Sequence, residues 1–138
     1  VSIDGRVHAS IGPGLLVLLG VSKDDSPKDI DWLTAKIPQL RIFDDRAGRM
    51  NVSALDAGAA FLVVSQFTLY ADVSRGRRPG FEHSAAPDVA RKMYEQFIAG
   101  LSKSCPVVRS GVFGAMMVVS LENDGPVTIM LDTKETRT

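Results

Sequence analysis

Two long apolar runs constrain this chain more than any other feature. Leu15-Leu-Val-Leu-Leu-Gly-Val21 carries no polar alternation, the form expected of a strand buried on both faces. Phe61-Leu-Val-Val-Ser-Gln-Phe-Thr-Leu69 is rich in β-branched and aromatic residues and reads as a second strand. Strands of this kind need covering layers, and the spacing supplies two helices. Ser26 can cap the first, with Pro27 at its first position and Asp29 three residues after the cap. Ile30, Leu33, Ile37 and Leu40 then share one face. The second helix is expected from near Pro87, with Val89, Met93, Phe97 and Leu101 inward. Asp4-Gly5 is a favoured hairpin dipeptide between two short strand pieces in residues 1–11. Two more strands are expected at the end, Ala115 to Leu121 and Val127 to Leu131. The order predicts an α+β domain, an antiparallel or mixed sheet covered by two helices.

At 138 residues, 45% of them hydrophobic, the chain has material for one core and one domain. Its 16 basic and 16 acidic residues balance, which argues against a nonspecific nucleic-acid coat but allows a local basic patch. The single cysteine, Cys105, excludes an internal disulfide framework. No apolar run approaches the ~20 residues that span a bilayer. These features predict a soluble cytoplasmic protein.

Most side-chain catalysis is demoted by the same inventory. His8 and His83 are the only histidines and sit in no ligand-spaced cluster, so neither a metal site nor a cofactor is expected. There is no nucleophile elbow and no phosphate-binding glycine loop. His83 beside Glu82 reads as a solvated loop histidine, adjacent Asp44-Asp45 as a turn, and Cys105 as packing. Any chemistry therefore has to lean on backbone groups or on the substrate.

Two short motifs remain, Ser65-Gln66-Phe67-Thr68-Leu69 and Asn123-Asp124-Gly125-Pro126-Val127-Thr128. Read alone, the first is an ordinary strand end and the second a trans turn. Together, in this order and spacing, they resemble the paired signatures of the D-aminoacyl-tRNA deacylase family. Gly14 to Gly20, Arg41-Ile-Phe43, Arg75-Gly-x-Arg-Pro79 and Gly111-Val-Phe-Gly-Ala115 match as well, so the resemblance spans nearly the whole chain.

The resemblance implies a barrel-like sheet, a homodimer with active sites at the subunit interface, and hydrolysis of the ester of D-aminoacyl-tRNA. It implies a cis peptide at Gly125-Pro126, whose carbonyl oxygens enter the partner's site and leave no room for an L side chain. Glycine has no side chain to exclude, so glycyl-tRNA mischarged on alanine tRNA is an expected substrate. Ser65, Gln66, Phe67 and Thr68 are then the candidate catalytic stretch, supplying backbone N–H groups to the tetrahedral oxyanion. Thr68 as nucleophile would lack a neighbouring base, so a positioning role is favoured, with the substrate's 2′-hydroxyl assisting water. Phe113 and Met117 match positions around the terminal adenosine, although alternation of Met117, Val119 and Leu121 also fits a plain core face. Arg75, Arg77 and Arg78 are candidate contacts to acceptor-stem phosphates. Family members carry a further strand upstream of the segment that begins here at Val1, and its arginine helps hold the Gly-Pro element.

Two other readings stand beside the enzyme. One is a noncatalytic, dimeric DNA- or RNA-binding module using the arginine loop, since animal relatives are linked to replication-origin DNA. The other is a general small-ester hydrolase, for which no activated nucleophile is visible.

Overall fold

The structure, a computed structural model, describes residues 1–136. An antiparallel ribbon of β1 (Ser2–Ile3) and β2 (Arg6–Val7) turns at Asp4 and Gly5, both at positive φ, as the dipeptide predicts. β3 (Gly14–Leu19) follows, then α1 (Pro27–Lys36) running into a 3-10 turn over Ile37–Gln39. A second ribbon pairs β4 (Phe43–Asp44) with β5 (Met50–Val52). The short α2 (Ala54–Ala57) leads to β6 (Ala60–Ser65), which ends in a 3-10 turn over Phe67–Tyr70. α3 (Pro87–Ser102), β7 (Val108–Ser110) and one turn of helix, α4 (Thr133–Thr136), complete the order.

The principal sheet has the order β3-β6-β7, and both pairs are parallel. The expectation of an antiparallel or mixed sheet is therefore corrected at its centre. Each strand returns through a helix, α1 between β3 and β6 and α3 between β6 and β7, and such crossovers impose parallel pairing. Antiparallel pairing is left to the two ribbons.

β6 is the strand covered on both faces. Phe61 and Val63 are fully buried in the cluster that holds Ile37, Tyr94, Phe97 and Leu101. Leu62 and Val64 are buried on the other side with Val1, against Ile3, Leu16, Met117 and Val119. β3 does not meet the same expectation, because Leu18 is 44% exposed where the cover on that second face runs out. Fully burying one such side chain contributes about 1.5–3 kcal/mol, so β6 anchors the domain.

The helices follow the pattern with one exception. Ser26 caps α1, and its capping box with Asp29 is formed. In α3 the buried stripe is Ala90, Met93, Tyr94, Phe97 and Leu101, whereas Val89 is 47% exposed and not inward. A helix starting at Pro87 turns that face toward solvent. Two strand predictions are also corrected. The 61–69 run stops being strand at Ser65. The 115–121 and 127–131 segments form no strand; their one ladder contact is the bridge of Ser2 to Val118, with N–H···O distances of 2.8 and 2.9 Å. Alternating side chains fit a strand, but a strand also needs a neighbour.

The chain end is clasped to α1. Lys134 Nζ lies 3.4 Å from Asp29 Oδ2 and 3.7 Å from Asp25 Oδ1. Burial alone would raise Asp29; the hydrogen bonds from Ser26, Thr133 and Lys134 outweigh it and bring the group down to about 2. A carboxyl lowered on folding adds stability above its unfolded value, and the gain is lost as pH falls through the folded one. Asp29→Asn is therefore expected to cost about 1–2 kcal/mol near neutral pH, allowing for the exposure of Lys134. Denaturant titrations of both chains should show that difference vanishing between about pH 4 and pH 2. Asp25 moves the other way, raised by burial, and gains stability as pH falls. Among the described residues, no helix is long and apolar enough to cross a membrane.

Candidate active site

The end of β6 is where the chain changes character. Ser65 pairs with Leu19 of β3, and the Gln66 N–H extends the ladder by donating to Leu19 O at 2.8 Å. Gln66 then departs from strand geometry, with φ −140° and ψ 81°, and the 3-10 turn begins at Phe67. The Leu69 N–H donates to Gln66 O at 3.3 Å and the Ala71 N–H to Thr68 O at 3.0 Å. Of the candidate backbone donors, Gln66 is thus committed to the ladder. Phe67 and Thr68 open the turn, where the first N–H groups have no acceptor within it. The Gln66 side-chain amide donates to Thr68 Oγ1. That bond orients the hydroxyl but gives it no base.

The turn is braced from two sides. A Cβ on Gly20 would lie 3.1 Å from Leu69 Cβ, 3.2 Å from Tyr70 Cδ2 and 3.3 Å from Gln66 O. The absence of a side chain at Gly20 is what lets the end of β3 pass this close. Residues 83–85 run antiparallel to 21–23, with Lys23 N–H to His83 O at 3.0 Å and Ala85 N–H to Val21 O at 2.9 Å. That pairing lets Ser84 Oγ donate to Phe67 O at 3.2 Å. Phe81, from the same segment, packs on Phe67 with ring centroids 4.9 Å apart. The pair is partly open, with Phe67 55% and Phe81 38% exposed. Beneath it, burial pushes the Tyr70 hydroxyl up to about 12, with Asp25, Asp132 and Asp29 adding to the rise.

Phe113 and Ala85, the neighbour of Ser84, pack against the same cluster of Val21, Ala90 and Met93. The Phe113 ring lies 5.9 Å from that of Tyr94. The buried Tyr94 hydroxyl donates to Val63 O at 2.9 Å and lies 3.4 Å from Gly111 O, tying β6 to the segment that carries Phe113. Burial raises its pKa, consistent with a group that stays protonated. Met117 lies elsewhere, on the opposite face of β6 with Val1, Leu62 and Val64 and against Gly111.

The arginine loop is closed by two backbone bonds between Asp72 and Gly80, at 2.7 and 2.8 Å. Arg75 and Arg78 line an open groove with Asp72, Ser74 and Glu82, while Arg77 is outside it. Hydrogen bonds from Ser74 keep the Asp72 carboxyl below its ordinary value, and His83 adds to this. His83 itself is exposed, Asp45 accepts from the Ala47 and Arg49 N–H groups, and Cys105 is buried in the core.

The second motif stands apart from the first. The chain leaves the core after Val119 and rejoins it at Leu131. Between them residues 120–126 and 128–130 are exposed, so the segment forms an arm. Asn123 Nδ2 donates to Thr128 Oγ1 at 3.1 Å across its tip, and the Gly125–Pro126 peptide is cis. No contact within the chain joins Gly125 or Pro126 to the Ser65–Thr68 turn among the bonds of the described residues. Met116 (90% exposed), Val118, Leu121 and Met130 (89%) make the arm and its root apolar on the outside.

Among the described residues, no group of three His, Cys, Asp or Glu could hold a metal ion. Sequence reading missed Phe81, Ser84 and Tyr94. Tyr94 had a signal, a polar tip within the apolar stripe of α3; Ser84 had none.

Comparison with known proteins gives a consistent result. The family model for D-Tyr-tRNA(Tyr) deacylase matches residues 1–132. The chain is 58% identical to a D-aminoacyl-tRNA deacylase of Chlorobaculum tepidum, over 96% of this chain and 89% of that protein. It is 53% identical to the corresponding protein of Thermosipho africanus, over 98% and 91%. The solved structure of a c-Myc DNA Unwinding Element Binding Protein superposes with a TM-score of 0.90 at 37% identity, covering 95% of this chain and 89% of that one.

Proposed function

Since the chain belongs to the D-Tyr-tRNA(Tyr) deacylase family and hydrolyses D-aminoacyl-tRNA as its relatives do, we propose that it does so as a cytoplasmic homodimer whose exposed arm completes the partner's site. The observation that carries this reading is the separation of the two motifs. A turn whose first N–H groups have no acceptor within it sits at the end of β6, and an exposed arm bearing Gly125 and Pro126 makes no hydrogen bond to that turn among the described residues. Exposed apolar surface of this extent marks a binding face, and a twofold axis pairs identical faces reciprocally. In this reading the arms close against the exposed Leu18 of β3, Met116 and Val118 of the partner, and that closure completes a barrel-like sheet.

In this reading water adds to the ester carbonyl, and the developing oxyanion accepts hydrogen bonds from the N–H groups of Phe67 and Thr68. Such preorganised donors act where charge appears. Collapse breaks the bond to the ribose oxygen, which takes a proton, and releases tRNA and the free amino acid. Ser65 ends the supporting strand, and Gln66 holds Thr68 in place as a positioning residue. The substrate's 2′-hydroxyl assists the water.

Selectivity comes from the partner's Gly125 and Pro126 carbonyls, which stand where an L side chain would point. A D side chain points away, and glycine, having none, also enters, so glycine mischarged on alanine tRNA is a substrate. Phe113 is the stacking platform for the terminal adenine, with Met117 further along the same segment, and Arg75, Arg77 and Arg78 approach acceptor-stem phosphates. No cofactor takes part.

D-Tyrosyl-tRNA is expected to be deacylated and L-tyrosyl-tRNA spared, measured by release of labelled amino acid. Equal turnover of both would end the chiral reading. No turnover, with salt-dependent binding to duplex DNA, would favour instead a noncatalytic nucleic-acid-binding dimer. The arginine loop favours that second reading, as does the 37% identity to a DNA Unwinding Element Binding Protein.

A further inference from the structure

Arg91 projects from the second turn of α3 on its exposed side, where core packing does not require it. Its guanidinium carbon nonetheless lies 5.3 Å from the Phe113 ring centroid, and Nη2 donates to Phe113 O at 3.4 Å. The ring and the carbonyl together hold the charge in one place. Asp88 and Glu95 lie one turn to either side on α3, yet both ion pairs among the described residues belong to Lys134. Among the described residues the guanidinium therefore has no ion-pair partner, and most of its N–H donors remain for a ligand.

Its position indicates which ligand. Phe113 is half-buried, with Tyr94 packed on it from the core and Arg91 over the ring, so a base arriving at Phe113 meets the guanidinium together with the ring. Guanidinium planes stack on bases as they do on phenyl rings, and they bind phosphate through paired donors. We infer that Arg91 binds the 5′-phosphate of the nucleotide whose base stacks on Phe113. This deepens the deacylase reading above and rests on Phe113 being the adenine platform. Arg75 and Arg78 share their groove with Asp72 and Glu82; among the described residues Arg91 has no carboxylate within ion-pair distance.

The test compares two minimal substrates, 3′-D-tyrosyl adenosine and its 5′-monophosphate, with wild type, Arg91→Gln and Arg91→Lys. Wild type should favour the monophosphate in kcat/KM, through KM. In Arg91→Gln that preference should fall by roughly tenfold, the scale of one charge-assisted hydrogen bond. Arg91→Lys, which keeps the charge but not the fork, should recover part of it, and the recovered part should weaken as salt rises. Equal losses on both substrates, or a phosphate preference that survives in Arg91→Gln, would overturn the assignment while leaving the deacylase reading intact. If wild type cleaved neither minimal substrate nor D-tyrosyl-tRNA, the deacylase reading itself would fall, and the assignment with it.

Discussion

Phe67→Pro is expected to lower kcat for D-aminoacyl-tRNA by about a hundredfold or more relative to Phe67→Ala. Both variants lose the ring and its contact with Phe81. Only proline also deletes the N–H at the start of the 3-10 turn, so the ratio of the two rates isolates a backbone donor. Proline is tolerated there on local grounds. The first helical position lacks an internal acceptor in any case, and the preceding Gln66 is outside the helical region. Circular dichroism should find both variants folded. Equal kcat values for the two would remove the oxyanion donor from Phe67 and reopen the question of a side-chain nucleophile at Thr68.

A heterodimer assembled from one Phe67→Pro chain and one Gly125→Ala chain is expected to recover about half of wild-type activity, although each homodimer is inactive or nearly so. Gly125 sits at φ +134°, and a Cβ there would lie 3.3 Å from both Val127 Cγ2 and Val127 N, so alanine distorts the arm tip. Displacement of about 1 Å at a reacting centre costs on the order of a hundredfold. If each arm serves the partner's turn, one site of the heterodimer collects both defects and the other has neither. If each site were built within one chain, every site would carry a defect and activity would stay low. Purification through two different tags separates the heterodimer, and single-turnover deacylation gives the fraction of working sites.

The local parts of the fold were legible because their causes are local. Ser26, Pro27 and Asp29 specify the start of α1 through groups within one turn, and the Asp4-Gly5 turn and cis Gly125–Pro126 fall where the sequence or its resemblance placed them. The buried stripe of α3 was readable in Met93, Phe97 and Leu101 and misread only at Val89, where the period alone could not fix the helix phase. The parallel centre of the sheet was readable in principle from the strand-helix-strand alternation. The family was readable because two short motifs recur in fixed order.

By itself the sequence determined two apolar strands, of which β6 is covered on both faces, two capped or proline-started helices, and the two motifs by which the family is recognised. Only the tertiary structure decided that Ser84 and Gly20 brace the turn after β6, that Tyr94 joins β6 to the Phe113 segment, and that Arg91 rests over Phe113. It also decided that residues 120–130 leave the core as an arm instead of closing the sheet. The physical reason is range. Caps, turns and periodic faces depend on neighbours a few residues away, whereas a brace, a bridging hydroxyl or an unpaired edge depends on which distant segment lies opposite.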